Sequence, residues 1–421
     1  MRLAFASGAL LISLAFGVWL HVAELRALSL AGQWLLSPNE DQGLPALPWG
    51  GHAADDLRRS LTAGWTALGP EHAERRLFEL ARFYPLDAAV WTELARVEAS
   101  RMQPRQQEFD ARLNTALAAE PNSRRVLWRA AQVAMQAGRL DLAGELLRDS
   151  VAGSPGEVRL ALAMAGRWLQ DPEELVGRIV PTSPQHHDFA MRHALNQRDM
   201  ALAEAVWQRA GSSATIEDRI LLDFVDALMR TGAIDRAAAI WAEHDSDFAE
   251  FGVPNARFTR QMDAERGMGW RIRQPEGVRI RRDLEVFHTA PASLQIAFSG
   301  QHNINLASPS VEIPVTAGGR YRLSGYWRGQ GLTTRARPYL WLRSDHGGLR
   351  AEQAVPGGQF DWTAWTFEFV APPEAGLVRL VLRRDETVAF DRNIGGQLWL
   401  DSLVLEPLTV RSGHDGNSEG P

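Results

Sequence analysis

From Gly267 onward apolar and polar residues alternate with a period of two, and Gly or Pro breaks the alternation at short intervals. That is the pattern of short strands in an all-β sandwich. Leu294, Ile296 and Phe298 share one parity, as do Val311, Ile313 and Val315, then Trp365, Phe367 and Phe369, then Val378, Leu380 and Leu382. In Tyr321–Arg328 the core parity falls to Tyr321, Leu323 and Trp327, which sends Tyr326 and Arg328 outward. In Tyr339–Arg343 Leu340 and Leu342 point inward and Tyr339, Trp341 and Arg343 outward. Leu398–Leu405 reads as the last strand, with Trp365 and Trp399 at core spacing and Trp362 at a rim. Upstream, residues 52–250 carry a helical period. The first residues differ again, since 3–23 contain no charge before Glu24. The expected order is a signal anchor or transmembrane segment (1–36), a linker (37–51), a helical array (52–250), a second linker (251–267), the sandwich (268–407) and a disordered tail (408–421). The fold class is multidomain, α then β.

Pro85, Pro121 and Pro155 end successive helical units, 36 and 34 residues apart. In the clearest unit Leu127, Ala130, Ala131 and Ala134 lie on a first helix, Gly138 makes the turn, and Ala143, Leu147 and Val151 lie on a second. Trp91, Leu94, Ala95, Leu113 and Ala116 make the preceding unit, and Ala73, Leu77 and Leu80 part of an earlier one. Leu221, Phe224, Val225, Leu228, Gly232, Ala237 and Trp241 make a later one. These units resemble the tetratricopeptide repeat, with small residues where helices cross and Gly at the turn. The resemblance implies an α-solenoid of about five hairpins that docks a protein partner on its concave face. The candidates there are Arg125, Trp128 and Gln132 in one unit and Arg219 and Asp226 in another. Residues 156–214 are helical but off period, and Pro181–Asp188 reads as a loop.

The sandwich strands follow one another as SLQIAFSG, V-x-I-x-V, Gly-Gly-Arg-Tyr-x-Leu-Ser-x-Tyr-Trp-Arg, Trp-x-x-Trp-x-Phe-x-Phe and LWLDSLVL. This order resembles the galactose-binding-like jelly roll of carbohydrate-binding modules. It implies a glycan ligand and, at Asp401, the acidic residue that such modules place near a structural calcium. Consecutive strands usually lie side by side, so Tyr326, Arg328, Tyr339, Trp341 and Arg343 are expected on one exposed sheet face. Aromatic rings offer flat apolar area to a sugar, and arginine offers forked donors. The other expectation is that the repeat array or residues 269–283 cover this face.

Composition removes chemistry. The chain of 421 residues has no cysteine, and all 45 basic residues are arginine, so thiol nucleophiles, disulfides, Schiff bases and a phosphate-loop lysine are excluded. A net charge of −6 gives no reason to expect nucleic acid. No GxSxG, HExxH or Gly-rich phosphate loop occurs, and no segment remains for a catalytic domain, so no enzyme and no cofactor is expected. His186, His187 and His193 lack a metal-binding spacing.

About 20 apolar residues suffice to cross a bilayer, and the positive charge of Arg2 precedes the run. The expected topology is a single-pass inner-membrane protein with a cytoplasmic N-terminus and its bulk periplasmic or extracellular. A leader cleaved after Ala31 stays open. The resemblances together imply an exported adaptor, joining a protein partner to a glycan in bacterial extracellular polysaccharide or cell-envelope assembly. The alternative is a protein-binding scaffold whose sandwich binds no sugar.

Overall fold

The computed structural model describes residues 69–262, 266–345 and 347–408, with Arg26, Ser29, Gln33 and Trp34. The expected anchor at 3–23, the linker 37–51 and the tail beyond Leu408 lie outside the described residues. Among the described residues no helix is long and apolar enough to cross a membrane.

Among the described residues, residues 70–251 form twelve α-helices: α1 Pro70–Phe83, α2 Ala88–Ala99, α3 Gln106–Ala119, α4 Arg124–Gln136, α5 Leu140–Ala152, α6 Val158–Ala165, α7 Pro172–Ile179, α8 Pro184–Gln197, α9 Met200–Ala210, α10 Asp218–Arg230, α11 Ile234–His244 and α12 Ser246–Phe251. Side-chain oxygens of Asp87, Asp171 and Asp199 cap α2, α7 and α9 by accepting N–H groups of the first turn. Nine strands follow among the described residues: β1 Val278–Asp283, β2 Ser293–Asn303, β3 Leu306–Pro314, β4 Arg320–Leu332, β5 Tyr339–Arg343, β6 Arg350–Ala354, β7 Gly358–Val370, β8 Leu377–Arg384 and β9 Asn393–Pro407. The chain divides into two compact units, Met1–Ala190 and Met191–Pro421.

In the first unit the helices pair as hairpins. Ala130, Ala131 and Ala134 of α4 and Ala143, Leu147 and Val151 of α5 are buried. Between them Gly138 has φ 71°, a left-handed turn that glycine adopts without strain. Pro181–Asp188 is not a loop throughout, because α8 begins at Pro184 and carries His186, His187 and His193. His186 is buried, with Nδ1 at 2.6 Å from the Ser183 hydroxyl and Nε2 at 2.9 Å from the Val151 carbonyl.

Among the described residues one group of three carboxylates comes close enough to share an ion: Glu74, Glu98 and Glu108. Arginines occupy their oxygens instead. Glu98 is buried and meets Arg105 at 2.7 Å, Arg101 at 3.3 Å and Arg112 at 3.3 Å. Arg112 also bonds Glu74, and Glu108 at 2.9 Å. The network ties α1, α2 and α3 together. Burial works to raise the Glu98 pKa, but hydrogen bonds from Arg105 and the charges of Arg105 and Arg112 outweigh it and leave the pKa lowered. A depressed carboxyl stabilises the fold above its unfolded pKa, about 4.3 for glutamate, and loses that contribution as pH falls through the folded value. Thermal melts of the full chain from pH 7 to 3 are therefore expected to show first-unit stability falling below about pH 4.3, with Glu98→Gln weakening that dependence. An unchanged pH profile in the variant would remove the network as its source.

In the second unit the strands form two antiparallel sheets, ordered β1-β2-β9-β4-β7 and β3-β8-β5-β6. Leu294, Ile296, Leu323, Trp327, Leu340, Leu342, Trp365, Leu380, Leu398 and Leu400 fill the space between them. The segment expected as a linker, 251–267, belongs partly to this core: Val253, Ala256 and Phe258 are fully buried within it. Asp245 accepts the Asn255 N–H at 2.7 Å, and Asp247 accepts the Arg257 N–H at 3.1 Å and the Thr259 hydroxyl at 3.0 Å, which shapes the turn. A Cβ on Gly252 would lie 3.3 Å from Leu405, and one on Gly376 3.2 Å from Ile234. Helices α9–α12 therefore group with the sandwich rather than with the preceding hairpins.

Candidate functional site

The parity reading of β4 and β5 holds at the level of each strand. Leu323, Trp327, Leu340 and Leu342 are buried, while Tyr326, Arg328, Tyr339, Trp341 and Arg343 are partly exposed. The shared face does not hold. Strand β4 lies in the five-stranded sheet and β5 in the four-stranded one. Their outward residues therefore sit on opposite faces of the sandwich, because the connection after β4 crosses between sheets.

On the four-stranded face Trp341 is central, opposite Glu352 of β6 and Val381 of β8. Three guanidinium carbons surround its ring: Arg343 at 5.0 Å, Arg383 at 5.0 Å and Arg350 at 5.7 Å. Cation–π contact holds such groups over the aromatic face. From there a chain of opposite charges crosses β5, β8 and β3. Arg343 pairs with Asp345, which lies 3.1 Å from Arg379; Arg379 pairs with Glu312, which lies 3.3 Å from Arg271. Asp385 accepts the Tyr339 hydroxyl at 2.8 Å and Arg383 at 2.9 Å, and Glu352 accepts Arg350 at 3.0 Å. The Tyr339 hydroxyl holds the Asp385 carboxyl below its ordinary pKa, with Arg383 adding to the effect. The pattern at this face is one aromatic ring set among fixed donors and acceptors. Arg350, Arg379 and Arg383 were not among the sequence candidates. The alternation in β8 places Arg379 and Arg383 outward, but only strand pairing reveals that Arg383 lies beside Trp341 and Arg379 opposite Arg343.

At the edge of this face lies a cleft of about 590 Å³ lined by Arg192, Asp223, Asp226, Arg230, Arg271 and Glu312, among others. Asp226 makes a structural bond at the wall of this cleft. It is half-buried and accepts the Gly267 N–H at 2.8 Å, so it fastens the chain after α12 onto α10. Burial raises its pKa, and the Gly267 bond and the Arg271 charge offset only part of that. Arg219 is exposed beside a recess of about 510 Å³ that also contains Trp241 and Trp270. In the first unit Arg125, Trp128 and Gln132 do come together, lining a groove of about 650 Å³ with Glu157 and Leu160.

On the five-stranded face Tyr326 stacks on His288 with ring centroids 3.7 Å apart, and Trp362 meets His288 edge-on at 5.8 Å. Arg328 lies 5.7 Å over the Trp399 ring and 3.8 Å from Asp361. Trp399 is buried on this outer side rather than in the core, and its indole N–H donates to Asp283 at 2.8 Å. His288 carried no signal in the sequence, since a loop histidine acquires its meaning from the strand beneath it.

Asp401 is not arranged as a calcium ligand. It is 0 % exposed and accepts three backbone N–H groups: His288 at 2.7 Å, Thr289 at 2.9 Å and Ser402 at 2.6 Å. Burial raises its pKa and those bonds lower it, with burial dominant. Three positive N–H dipoles converging on one carboxylate oppose a cation, which needs six to eight oxygens around it. The carboxylate instead pins the loop that lays His288 on Tyr326.

No protein-family profile and no curated protein matches the chain by sequence. Solved structures align with parts of it. A family 4 carbohydrate-binding module is 16% identical, covering 37% of this chain and 99% of its own, with a TM-score of 0.28. A family 61 module in complex with beta-1,4-galactotriose is 17% identical over 38% of this chain and 99% of its own, with a TM-score of 0.28. The xylan-binding CBM22-1 domain of Paenibacillus barcinonensis Xyn10C is 17% identical over 37% of this chain and 93% of its own, with a TM-score of 0.24.

Proposed function

We propose that this chain is a non-catalytic, membrane-anchored exported adaptor whose sandwich binds a glycan and whose helical hairpins dock a protein partner. Bacterial extracellular polysaccharide or cell-envelope glycan assembly is the setting it fits. The observation that carries the glycan reading is the four-stranded face. Trp341 is half-buried at its centre, Tyr339 lies two residues away, and guanidiniums and carboxylates alternate around both. Sugar rings present apolar C–H surface beside hydroxyls that both donate and accept. A surface with an aromatic ring and fixed polar groups of both kinds matches that chemistry. The groove at Arg125, Trp128 and Gln132 offers arginine and indole to a partner segment, suited to an acidic peptide with an apolar side chain.

The test is a glycan microarray with the full chain, since the sandwich core extends back to Val253. Trp341→Ala is expected to weaken binding at least about tenfold, as loss of a central aromatic anchor does. Tyr326→Ala, on the opposite face, is expected to leave it unchanged. Equal binding by wild type and Trp341→Ala would remove the site from this face. No retention of any glycan would favour the protein-only scaffold.

A further inference from the structure

Taking the four-stranded face as a glycan site, we infer that its ligand is an anionic saccharide, held through carboxylate or other acidic groups by the guanidiniums around Trp341. The inference rests on that reading and narrows it. Acceptors on this face are already taken. Asp345 serves Arg343 and Arg379, and Glu312 serves Arg379 and Arg271. Asp385 serves Tyr339 and Arg383, and Glu352 serves Arg350.

Donors are in surplus. The Trp341 indole N–H, Arg343 Nε and Arg383 Nε are buried without a hydrogen-bond partner. Arg343, Arg350 and Arg383 stand around one ring, and each guanidinium has five N–H donors, more than its carboxylate partner takes up.

The stacking adds to this. A guanidinium lying over an indole keeps its N–H edge in its own plane, directed past the ring and pre-ordered for a forked bond to carboxylate, sulfate or phosphate. A neutral sugar hydroxyl accepts and donates in equal measure and would leave the donor surplus in place. An acidic group only accepts, and so fills it. Ion pairs at an exposed face are individually weak, so Arg350 and Arg383 can exchange an internal carboxylate for an external one at small cost.

The experiment is affinity electrophoresis of the full chain through gels containing polygalacturonate, dextran sulfate or neutral dextran, at low and high salt. Polygalacturonate or dextran sulfate is expected to retard the wild type at low salt, with retardation falling as salt rises. The double variant Arg350→Gln, Arg383→Gln is expected to lose at least about tenfold in affinity, and Trp341→Ala a similar amount. Retardation by polygalacturonate alone identifies the carboxylate as the recognised group, and by dextran sulfate alone the sulfate; either supports the anionic class. Anionic retardation that survives Trp341→Ala overturns the inference, since simple adsorption to a polyanion needs no indole. Neutral dextran binding that is lost in Trp341→Ala and unaffected by the arginine changes also overturns it, while leaving the glycan reading intact. No retardation in any gel, with no glycan bound on the microarray, removes both.

Discussion

Arg384→Met is expected to lower the stability of the sandwich by about 3–5 kcal/mol, because several buried carbonyls lose their donor at about 1–3 kcal/mol each. Arg384 is the last inward residue of β8 and is 1 % exposed. Its guanidinium donates to four backbone carbonyls: Ile304 at 2.7 Å, Asp391 at 2.9 Å, Ala336 at 3.1 Å and Arg392 at 3.1 Å. One side chain thus gathers the loop before β3, the loop before β5 and the turn before β9. Methionine fills much of the volume but supplies no donor, and an unpaired buried carbonyl costs about 1–3 kcal/mol. Arg384→Lys is expected to rescue little, because an ammonium has three donors at one point and cannot span four separated acceptors. Urea unfolding monitored by tryptophan fluorescence measures both variants. A change below about 1 kcal/mol in Arg384→Met would show that water replaces the guanidinium without penalty. The same arginine holds the base of a turn whose Phe390 is 103 % exposed, so Phe390→Ser serves as the near-neutral control.

Phe258→Ala is expected to cost a further about 3–5 kcal/mol, the usual range for a buried phenylalanine. At about 2–4 °C per kcal/mol for a unit of this size, the melting temperature falls by roughly 6–20 °C. Phe258 lies outside the strands, yet it is 0 % exposed and packs on Trp270 with centroids 5.4 Å apart. Its φ of 54° is left-handed, a conformation that costs a non-glycine residue about 1 kcal/mol or more and persists here because burial of the ring offsets it. Phe258→Gly is therefore expected to be less harmful than Phe258→Ala, since glycine removes the backbone strain while losing the same ring. If both variants melt with the wild type, residues 253–258 are an attachment to the sandwich and not part of its core. If they melt as expected, a fragment beginning at residue 268 lacks Val253, Ala256 and Phe258, and its failure to bind glycan would report lost packing.

The two substitutions also mark how far the sequence could be read. The periods of helices and strands were legible because the buried faces repeat locally, and Leu147, Phe224 and Leu323 are buried as their spacing requires. The role of Arg384 was half legible. Its parity put it inside, and a lone arginine inside needs acceptors, but nothing in the chain named Ile304 and Ala336 as suppliers. Phe258 was not legible, because a single aromatic residue in a stretch without periodicity gives no phase. His186 and His187 were misplaced for a related reason: Pro184 marks the start of a helix as well as it marks a loop.

By itself the sequence determined which side chains of β4 and β5 face inward, because that depends on residues only two positions apart. It therefore fixed Trp341, Tyr339 and Arg343 as one outward set and Tyr326 and Arg328 as another. Only the tertiary structure decided that these sets lie on opposite faces, that Arg350 and Arg383 close around Trp341, and that Asp401 answers to backbone N–H groups. Sheet membership is settled by how two apolar faces pack across a core, and the residues that meet there are separated by up to more than a hundred positions along the chain. No local pattern carries that pairing.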